Sequence, residues 1–245
     1  MDADVNELLI QYAGKYETAD FLSDDPSRFM HQVEGPANQE TVAFIASCLS
    51  YGNRKQFFPK IQKILDDARG DVYNWVKNGD FDMDIPVSPE CYYRLFTNQM
   101  MNHFLHALKD LVNEYDTLGN YIQSKANDGF SAIVAITSYL NSKGIDSVIP
   151  KDTSSACKRI CMFLRWMVRD NSDVDLGLWS GFIDKQSLIM PLDTHVLQEA
   201  CRLGLLNSKT ANMNVAKRLT AKMRTVFPDD PLKGDFALFG YGVNH

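Results

Sequence analysis

Apolar residues recur along most of the chain at the spacing of an amphipathic helix. Near the N-terminus, Val5, Leu8, Leu9 and Tyr12 lie at i, i+3, i+4 and i+7, which places them on one helical face. The same spacing, with capping residues at helix starts and glycines at helix ends, predicts helices along the rest of the chain. These cover about 25–33, 38–51, 54–69, 71–77, 90–96, 99–114, 118–125, 130–141 and 193–203. A further helix, capped by Thr153, Ser154 or Ser155, runs to 168, and another, opened by Asn212 or Asn214, runs to 226. A last helix lies around Phe236 and Phe239.

Strand patterns with matching turn dipeptides are not evident. The run IVAITSY is compatible with a strand, but it fits a buried helix equally well. Two proline-containing or irregular stretches, 82–89 and 171–190, are predicted as loops, the second with one helical turn near 178–182. The pattern therefore predicts an all-α protein.

Composition describes an ordinary globular chain. It has 245 residues, 45% of them apolar, and no apolar run of 18 residues that would predict a membrane span. The first ten residues, MDADVNELLI, lack the basic and apolar regions of a signal peptide. The cysteines are scattered without a CxxC pair, which favours free thiols in a reducing cytoplasm. They are Cys48, Cys91, Cys157, Cys161 and Cys201.

Charge is distributed unevenly between the two parts of the chain. The net charge is −6, but residues 1–150 carry 12 basic and 21 acidic side chains, whereas residues 151–245 carry 13 basic and 10 acidic ones. A mildly basic C-terminal part is compatible with a surface that binds phosphates, and equally with a solvated surface that binds nothing.

Two segments carry candidate chemistry. In SSACKRICMFLRWMVRD, Lys158 stands near the start of a predicted helix, and in LDTHV, Asp193 stands at the start of another. A lysine amine acts as a nucleophile when it is deprotonated, which burial and a helix N-terminus both favour. Helix N-terminal N–H groups stabilise an ionised aspartate. Together the two residues suit N-glycosidic bond cleavage with imine formation. The alternatives are a simple helix cap for Asp193 and a solvated surface lysine for Lys158.

The run LDTHVLQEACRLGLL resembles the aspartate segment of the helix–hairpin–helix DNA glycosylases, the endonuclease III superfamily. SACKRICMFLRWMVR is similar to the helix after the hairpin, where bifunctional members carry their lysine. The tail from Asn214 through FPDDPLKGDFALFGYG is similar to the two helices that follow the aspartate segment. The resemblance extends from DDPSRFMHQVEG and ETVAFIASCLSYGNRKQ to the C-terminus and points to an uncharacterised bacterial branch. The 35 residues from Lys158 to Asp193 are most similar to the archaeal 8-oxoguanine DNA glycosylases.

The resemblance implies a two-lobed helix–hairpin–helix glycosylase-like fold, with one lobe of about 20–170 and the other of 1–19 plus 171–245. It implies that Lys158 is the Schiff-base nucleophile and Asp193 the carboxylate that assists it. It also implies a base-excision DNA glycosylase with β-lyase activity on an oxidised purine, which is flipped out of double-stranded DNA. The usual Gly-rich hairpin is replaced here by IPKDTSSACK, and the four-cysteine iron–sulfur loop is absent, so no cofactor, metal or iron–sulfur cluster is expected.

Further residues are candidates for contacts with DNA. The backbone-binding candidates are Lys151, Ser154, Ser155, Arg159 and His195, and the base-stacking candidates are Trp166, Trp179 and Phe182. Arg165 and Arg169 share a helical face and suit either phosphate contacts or ion pairs with Asp173 or Asp175. We expect a cytoplasmic monomer that makes no membrane contact. Two alternative functions stay open: a catalytically inactive nucleic-acid-binding module of the same fold, and a helical interaction protein.

Overall fold

The computed structural model describes residues 3–245, with the side chain of Val243 excepted. Helices dominate the described chain, so the all-α prediction is confirmed at that level. The helices are α1 (Ala3–Tyr16), α2 (Pro36–Leu49), α3 (Arg54–Asp67), α4 (Val72–Asn78), α5 (Phe81–Asp84), α6 (Asn98–Tyr115), α7 (Leu118–Lys125), α8 (Gly129–Ser142), α9 (Lys158–Val168), α10 (Thr194–Arg202), α11 (Met213–Arg224) and α12 (Lys233–Asn244). Short 3-10 helices cover Ala19–Asp24, Pro26–His31 and Lys185–Ser187, and two strands are β1 (Cys91–Tyr93) and β2 (Phe96–Thr97).

The chain forms two compact units. Unit 1 contains the described residues up to Ser23, residues 127–133 and everything from Asp152 onwards, and unit 2 contains residues 24–126 and 134–151. The sequence-based division assigns residues 152–170 to the first lobe, whereas the structure assigns them to the unit that holds both ends of the chain. The physical reason is that α9 is buried along almost its whole length in unit 1, where its arginines pair with acidic residues of the C-terminal part.

Unit 1 is built around α12. Helix α1 packs along α12, and α10 packs against it as well. Phe236 and Leu238 of α12 and Leu9 of α1 are fully buried, so apolar burial holds these helices together. Gly240 allows close contact between α1 and α12, because a Cβ at this position would lie 2.3 Å from the ring of Tyr16.

A buried network of ion pairs connects α9 to the rest of unit 1. The side chains of Arg165 and Arg169 are 3% and 1% exposed. Arg165 Nε lies 3.2 Å from Asp175 Oδ1, and Arg169 Nη2 lies 2.8 Å from Asp230 Oδ2. The carboxylates that pair with these two arginines include Glu17, Asp175, Asp230 and Asp235. The suggestion that Arg165 and Arg169 contact phosphates is therefore wrong, because both guanidinium groups are enclosed and already paired.

Unit 2 is centred on α2, which packs against α3, α4 and the 3-10 helix Pro26–His31. Every residue of α2 from Glu40 to Leu49 is buried. Both carboxylate oxygens of Glu40 accept the backbone N–H of Gly119 at 3.1 Å, so a buried acid binds the first turn of α7. Helix α6 supplies Leu105 and Leu108 to this core.

Residues 91–97 form a β-hairpin where the apolar pattern predicts a helix over 90–96, so that prediction is wrong. Cys91 pairs with Thr97 and Tyr93 with Phe96 in an antiparallel register. The chain reverses at Arg94, whose φ of 52° lies in the left-handed region. Aromatic residues favour strands, and apolar periodicity does not distinguish a short strand from a short helix.

Among the residues that the structure describes, no helix combines the length and the apolar character needed to cross a bilayer.

Candidate active site

The first residue of α9 is Lys158, so its side chain projects from a helix N-terminus. The preceding residue, Cys157, has φ 47° and ψ 36°, and its side chain makes no capping hydrogen bond. The helix thus begins after the Thr153–Ser155 cluster rather than being capped by it. Burial raises the pKa of the Cys157 thiol, so this cysteine is protonated beside the lysine at neutral pH.

Asp193 is the N-cap of α10, as its place in the sequence predicts. Its Oδ1 accepts the backbone N–H of Val196 at 2.9 Å. This hydrogen bond and the extended backbone of Asp193 define a regular N-cap. The second carboxylate oxygen is left for another partner.

That partner is the amine of Lys158. Its Nζ lies 3.5 Å from Asp193 Oδ2, although the two residues are 35 positions apart in the chain. The two side chains are 34% and 39% exposed, so they are held by the protein and still accessible from solvent. The structure therefore brings together the two residues that the sequence nominates for catalysis.

A third charged residue, which the sequence analysis did not single out, belongs to this cluster. Asp235 of α12 is 15% exposed and forms an ion pair with Arg165 Nη1. Burial raises the pKa of Asp235, Arg165 and Lys158 oppose that rise, and the Asp193 carboxylate adds to it. Asp235 thus interacts electrostatically with both members of the Lys158–Asp193 pair.

Position on the helix explains how Arg165 reaches the same cluster. Lys158 and Arg165 are seven residues apart on α9, which places them on one face about two turns from each other. The signal available in the sequence was this i, i+7 spacing of two cations, together with an acid in the otherwise apolar segment KGDFALF. Neither feature identifies the partner without the fold.

The loop before α9 holds its own polar groups. Asp152 Oδ1 accepts the backbone N–H of Ser154 at 2.8 Å, and Ser155 Oγ accepts the N–H of Cys157 at 3.3 Å. Ser155 also forms an isolated antiparallel bridge with Asn212. Ser154 and Ser155 are exposed, but the amides of Ser154 and Cys157 are already hydrogen-bonded, so binding a phosphate there requires them to exchange partners.

The other backbone-binding candidates are distributed over both units. Arg159 is half-buried in the first turn of α9. His195 is 58% exposed in the first turn of α10, and its Nδ1 lies 3.9 Å from Glu199 Oε1. Lys151 is exposed and belongs to unit 2, where its carbonyl accepts the side-chain amide of Asn141 at 2.6 Å. Among these candidates, Arg159 directly follows Lys158 in the chain, and His195 lies two residues after Asp193.

The base-stacking candidates are mostly enclosed. Trp166 is 0% exposed and Trp179 is 2% exposed, so neither ring presents a face to a nucleotide, which corrects their assignment to a base pocket. The ring of Trp179 packs against Phe163 at 5.2 Å between centroids and against Phe182 at 5.7 Å. Phe182 is half-buried and lines a cleft of about 350 Å³ with Lys185, so it is the one member of the three that reaches the surface.

A comparison with protein families finds one match, to the family described as "Protein of unknown function (DUF2400)", over residues 25–244. No curated protein matches the chain, and no solved structure matches it. The matched region includes Lys158, Asp193 and Asp235.

Proposed function

The chain belongs to the DUF2400 family, whose function is unknown, and we therefore propose its activity from the geometry of the candidate site. The proposed activity is that of a DNA glycosylase with β-lyase activity that acts through a Schiff base on Lys158. The observation that carries this proposal is the 3.5 Å separation of Lys158 Nζ and Asp193 Oδ2 at an accessible position. A nucleophilic amine and a carboxylate at this distance can share a proton and flank one reacting carbon.

The proposed reaction has two stages. The Lys158 amine passes a proton to Asp193 and attacks C1′ of the damaged nucleotide, and the bond from C1′ to the base breaks with its electron pair leaving on the base, which is protonated as it departs. The sugar ring opens as the C1′–Nζ bond becomes an imine. Loss of a proton from C2′ then breaks the C3′–O bond and releases the 3′ phosphate, and water hydrolyses the imine to regenerate the amine.

The substrate class follows from the resemblance. The LDTHVLQEACRLGLL run resembles the aspartate segment of the helix–hairpin–helix DNA glycosylases, and the 35-residue spacing is most similar to the archaeal 8-oxoguanine glycosylases, so we propose an oxidised purine in double-stranded DNA. C1′ is inaccessible in a stacked duplex, so the nucleotide must be flipped out before attack. The protein's part is then to hold C1′ of the flipped nucleotide against the Lys158 amine, with the Asp193 carboxylate alongside.

Borohydride trapping tests the mechanism directly. Reduction of the imine links the protein covalently to duplex DNA that contains 8-oxoguanine or an abasic site. We expect an adduct with wild type and with Lys15→Ala, a control at an exposed lysine of the same unit that belongs to no candidate site, and none with Lys158→Ala or Lys158→Gln. Absence of an adduct with wild type on both substrates, or an undiminished adduct with Lys158→Ala, removes the mechanism.

A second candidate is a nucleic-acid-binding module without catalysis. The burial of Trp166 and Trp179 favours it, because the site then lacks two of its expected stacking surfaces. Salt-sensitive binding of duplex DNA with no adduct and no strand cleavage would select this candidate.

A further inference from the structure

One stretch of the chain is basic throughout, although the protein carries a net charge of −6. Residues 200–228 contain no acidic residue, and α11 lies within this stretch. The cations of the stretch are Arg202, Lys209, Lys217, Arg218, Lys222 and Arg224. Four of these cations lie on α11, Lys209 lies in the loop before it, and Arg202 is the last residue of α10.

Helix α11 has a clear inner and outer side. Its apolar residues, among them Val215, Leu219 and Met223, are buried in unit 1. All four of its cations are exposed, and we call them the α11 basic face. They are Lys217, Arg218, Lys222 and Arg224. The remaining exposed residues of the helix are Asn214 and Ala221, so no large apolar side chain interrupts the basic face.

The contacts of these cations within the protein show which of them are available to bind an external anion. Lys217 Nζ lies over the ring of Phe130, and Arg224 Nη2 donates to the carbonyl of Gln186 at 2.6 Å. Within the part of the chain that the structure describes, Arg218, Lys222 and Lys209 form no ion pair. Three exposed cations are thus left without an acidic partner.

Helix stability does not explain this arrangement. Arg218 and Lys222 are four residues apart, and like charges at this spacing destabilise a helix by about 0.2–0.5 kcal/mol. Lys222 and Arg224 lie in the last turn, where cations stabilise the helix dipole, but Arg218 lies in the middle. The charge of Arg218 therefore points to an external anion.

The start of α11 is tied to the segment that leads to Lys158. Asn212 caps α11 through a 3.0 Å hydrogen bond from the N–H of Val215, and the same residue bridges to Ser155. Ser155 lies three residues before Lys158 in the chain. The basic helix therefore begins beside the loop that precedes the candidate nucleophile.

We propose that the α11 basic face, with Lys209, binds the phosphodiester backbone of DNA next to the candidate active site. The helix is about 18 Å long at 1.5 Å per residue, which matches about five nucleotides of one strand at 3.4 Å each. This surface extends the proposed function but does not depend on the Lys158 chemistry. It accounts for DNA binding by a protein whose total charge is negative.

The composition of the face favours DNA over an anionic membrane. A helix that lies on a membrane buries a stripe of large apolar residues in the lipid, and here the large apolar residues of α11 are already buried in unit 1. What remains exposed is a row of cations with small polar or aliphatic neighbours, which suits a regular array of phosphates.

The salt dependence of DNA binding tests the proposal. The double variant Arg218→Gln/Lys222→Gln keeps good helix formers and removes two charges. Lys55→Gln/Lys125→Gln removes two exposed charges from unit 2 as the matched control. Binding of a fluorescent 20-base-pair undamaged duplex is measured by anisotropy over a series of KCl concentrations. Thermal melting confirms that both variants are folded.

We expect the slope of log K against log salt to become shallower by about 1.8 for the α11 pair, and affinity at 0.1 M salt to fall roughly 50-fold. The control pair should change neither. An unchanged slope in the Arg218→Gln/Lys222→Gln variant, or an equal loss of DNA affinity in the control, overturns the proposal. Binding to phosphatidylserine vesicles is measured in parallel, and a loss of binding confined to the vesicles also overturns it. If wild type gives no borohydride adduct but the α11 pair still changes the slope, the proposed function fails and this surface stands.

Discussion

Lys158 Nζ lies 3.5 Å from the carboxylate oxygen of Asp193 that the helix cap leaves free. The two oxygens of Asp193 thus have separate partners, since one holds the first turn of α10 and the other faces the amine. The cap hydrogen bond fixes the carboxylate in place and leaves its other oxygen accessible. It also separates the structural contribution of Asp193 from any catalytic one.

The first prediction uses this separation. Asn caps helices as well as Asp, so Asp193→Asn should melt within a degree or two of wild type. The same variant should lose about 100-fold or more in the rate of adduct formation, because the group that accepts the proton is gone. Asp193→Ala should lose the same activity and about 1 kcal/mol of stability in addition, as measured by urea unfolding. Full activity in the folded Asn variant would show that Asp193 acts only as a cap.

The second prediction concerns pH and Asp235. Burial raises the pKa of Asp235, so the folded protein keeps this proton to a higher pH than the unfolded chain does. The resulting stabilisation is complete below the pKa of unfolded aspartate, about 4, and is lost as the pH rises through the folded pKa.

The melting temperature of wild type should therefore fall relative to that of Asp235→Asn as the pH is raised above about 4. Calorimetric scans of both proteins in matched buffers measure this difference. Parallel curves would mean that the neighbouring Arg165 cancels the effect of burial.

The third prediction compares two glycines in unit 1. A Cβ at Gly129 would lie 2.7 Å from the carbonyl oxygen of Ser187, a backbone atom that has little freedom to move, whereas a Cβ at Gly14 would meet nothing within 4 Å. Gly129→Ala should therefore destabilise the protein by about 1–3 kcal/mol. Gly14→Ala, inside α1, should stabilise it by up to about 1 kcal/mol. Urea unfolding of the two variants should shift in opposite directions, and shifts in the same direction would contradict the packing around Gly129.

The fourth prediction concerns the buried network. Arg169→Met leaves the carboxylates of Asp230, Asp175 and Glu17 without their shared cation in a buried environment, which should cost about 3–5 kcal/mol. Lys63→Met breaks only the exposed ion pair with Asp67 and should cost about 0–1 kcal/mol. Denaturant midpoints measure both losses. A mild effect of Arg169→Met would mean that the acids are protonated when the arginine is removed.

Local rules were sufficient for much of the helical structure. The cap at Asp193 could be read from the chain, since a cap acts on backbone groups only two or three residues away. For the next helix the sequence offered Asn212 or Asn214, and the structure shows that Asn212 is the cap. The exception is the hairpin over residues 91–97, where apolar spacing favours a helix and the aromatic residues pack as strands. Short segments of this kind are decided by what they pack against.

Local patterns along the chain were enough to predict the helical class, most helix positions, and Lys158 and Asp193 as candidate residues. Three further features depend on how distant helices pack: Lys158 meets Asp193, Arg165 and Arg169 are buried in ion pairs, and Asp235 joins the site. Arg165 and Asp235 are 70 positions apart, and no local pattern encodes a contact over that distance. Helix signals act within one or two turns of the chain. The ion pairs and the burial at the site depend instead on which faces of distant helices pack together and exclude water.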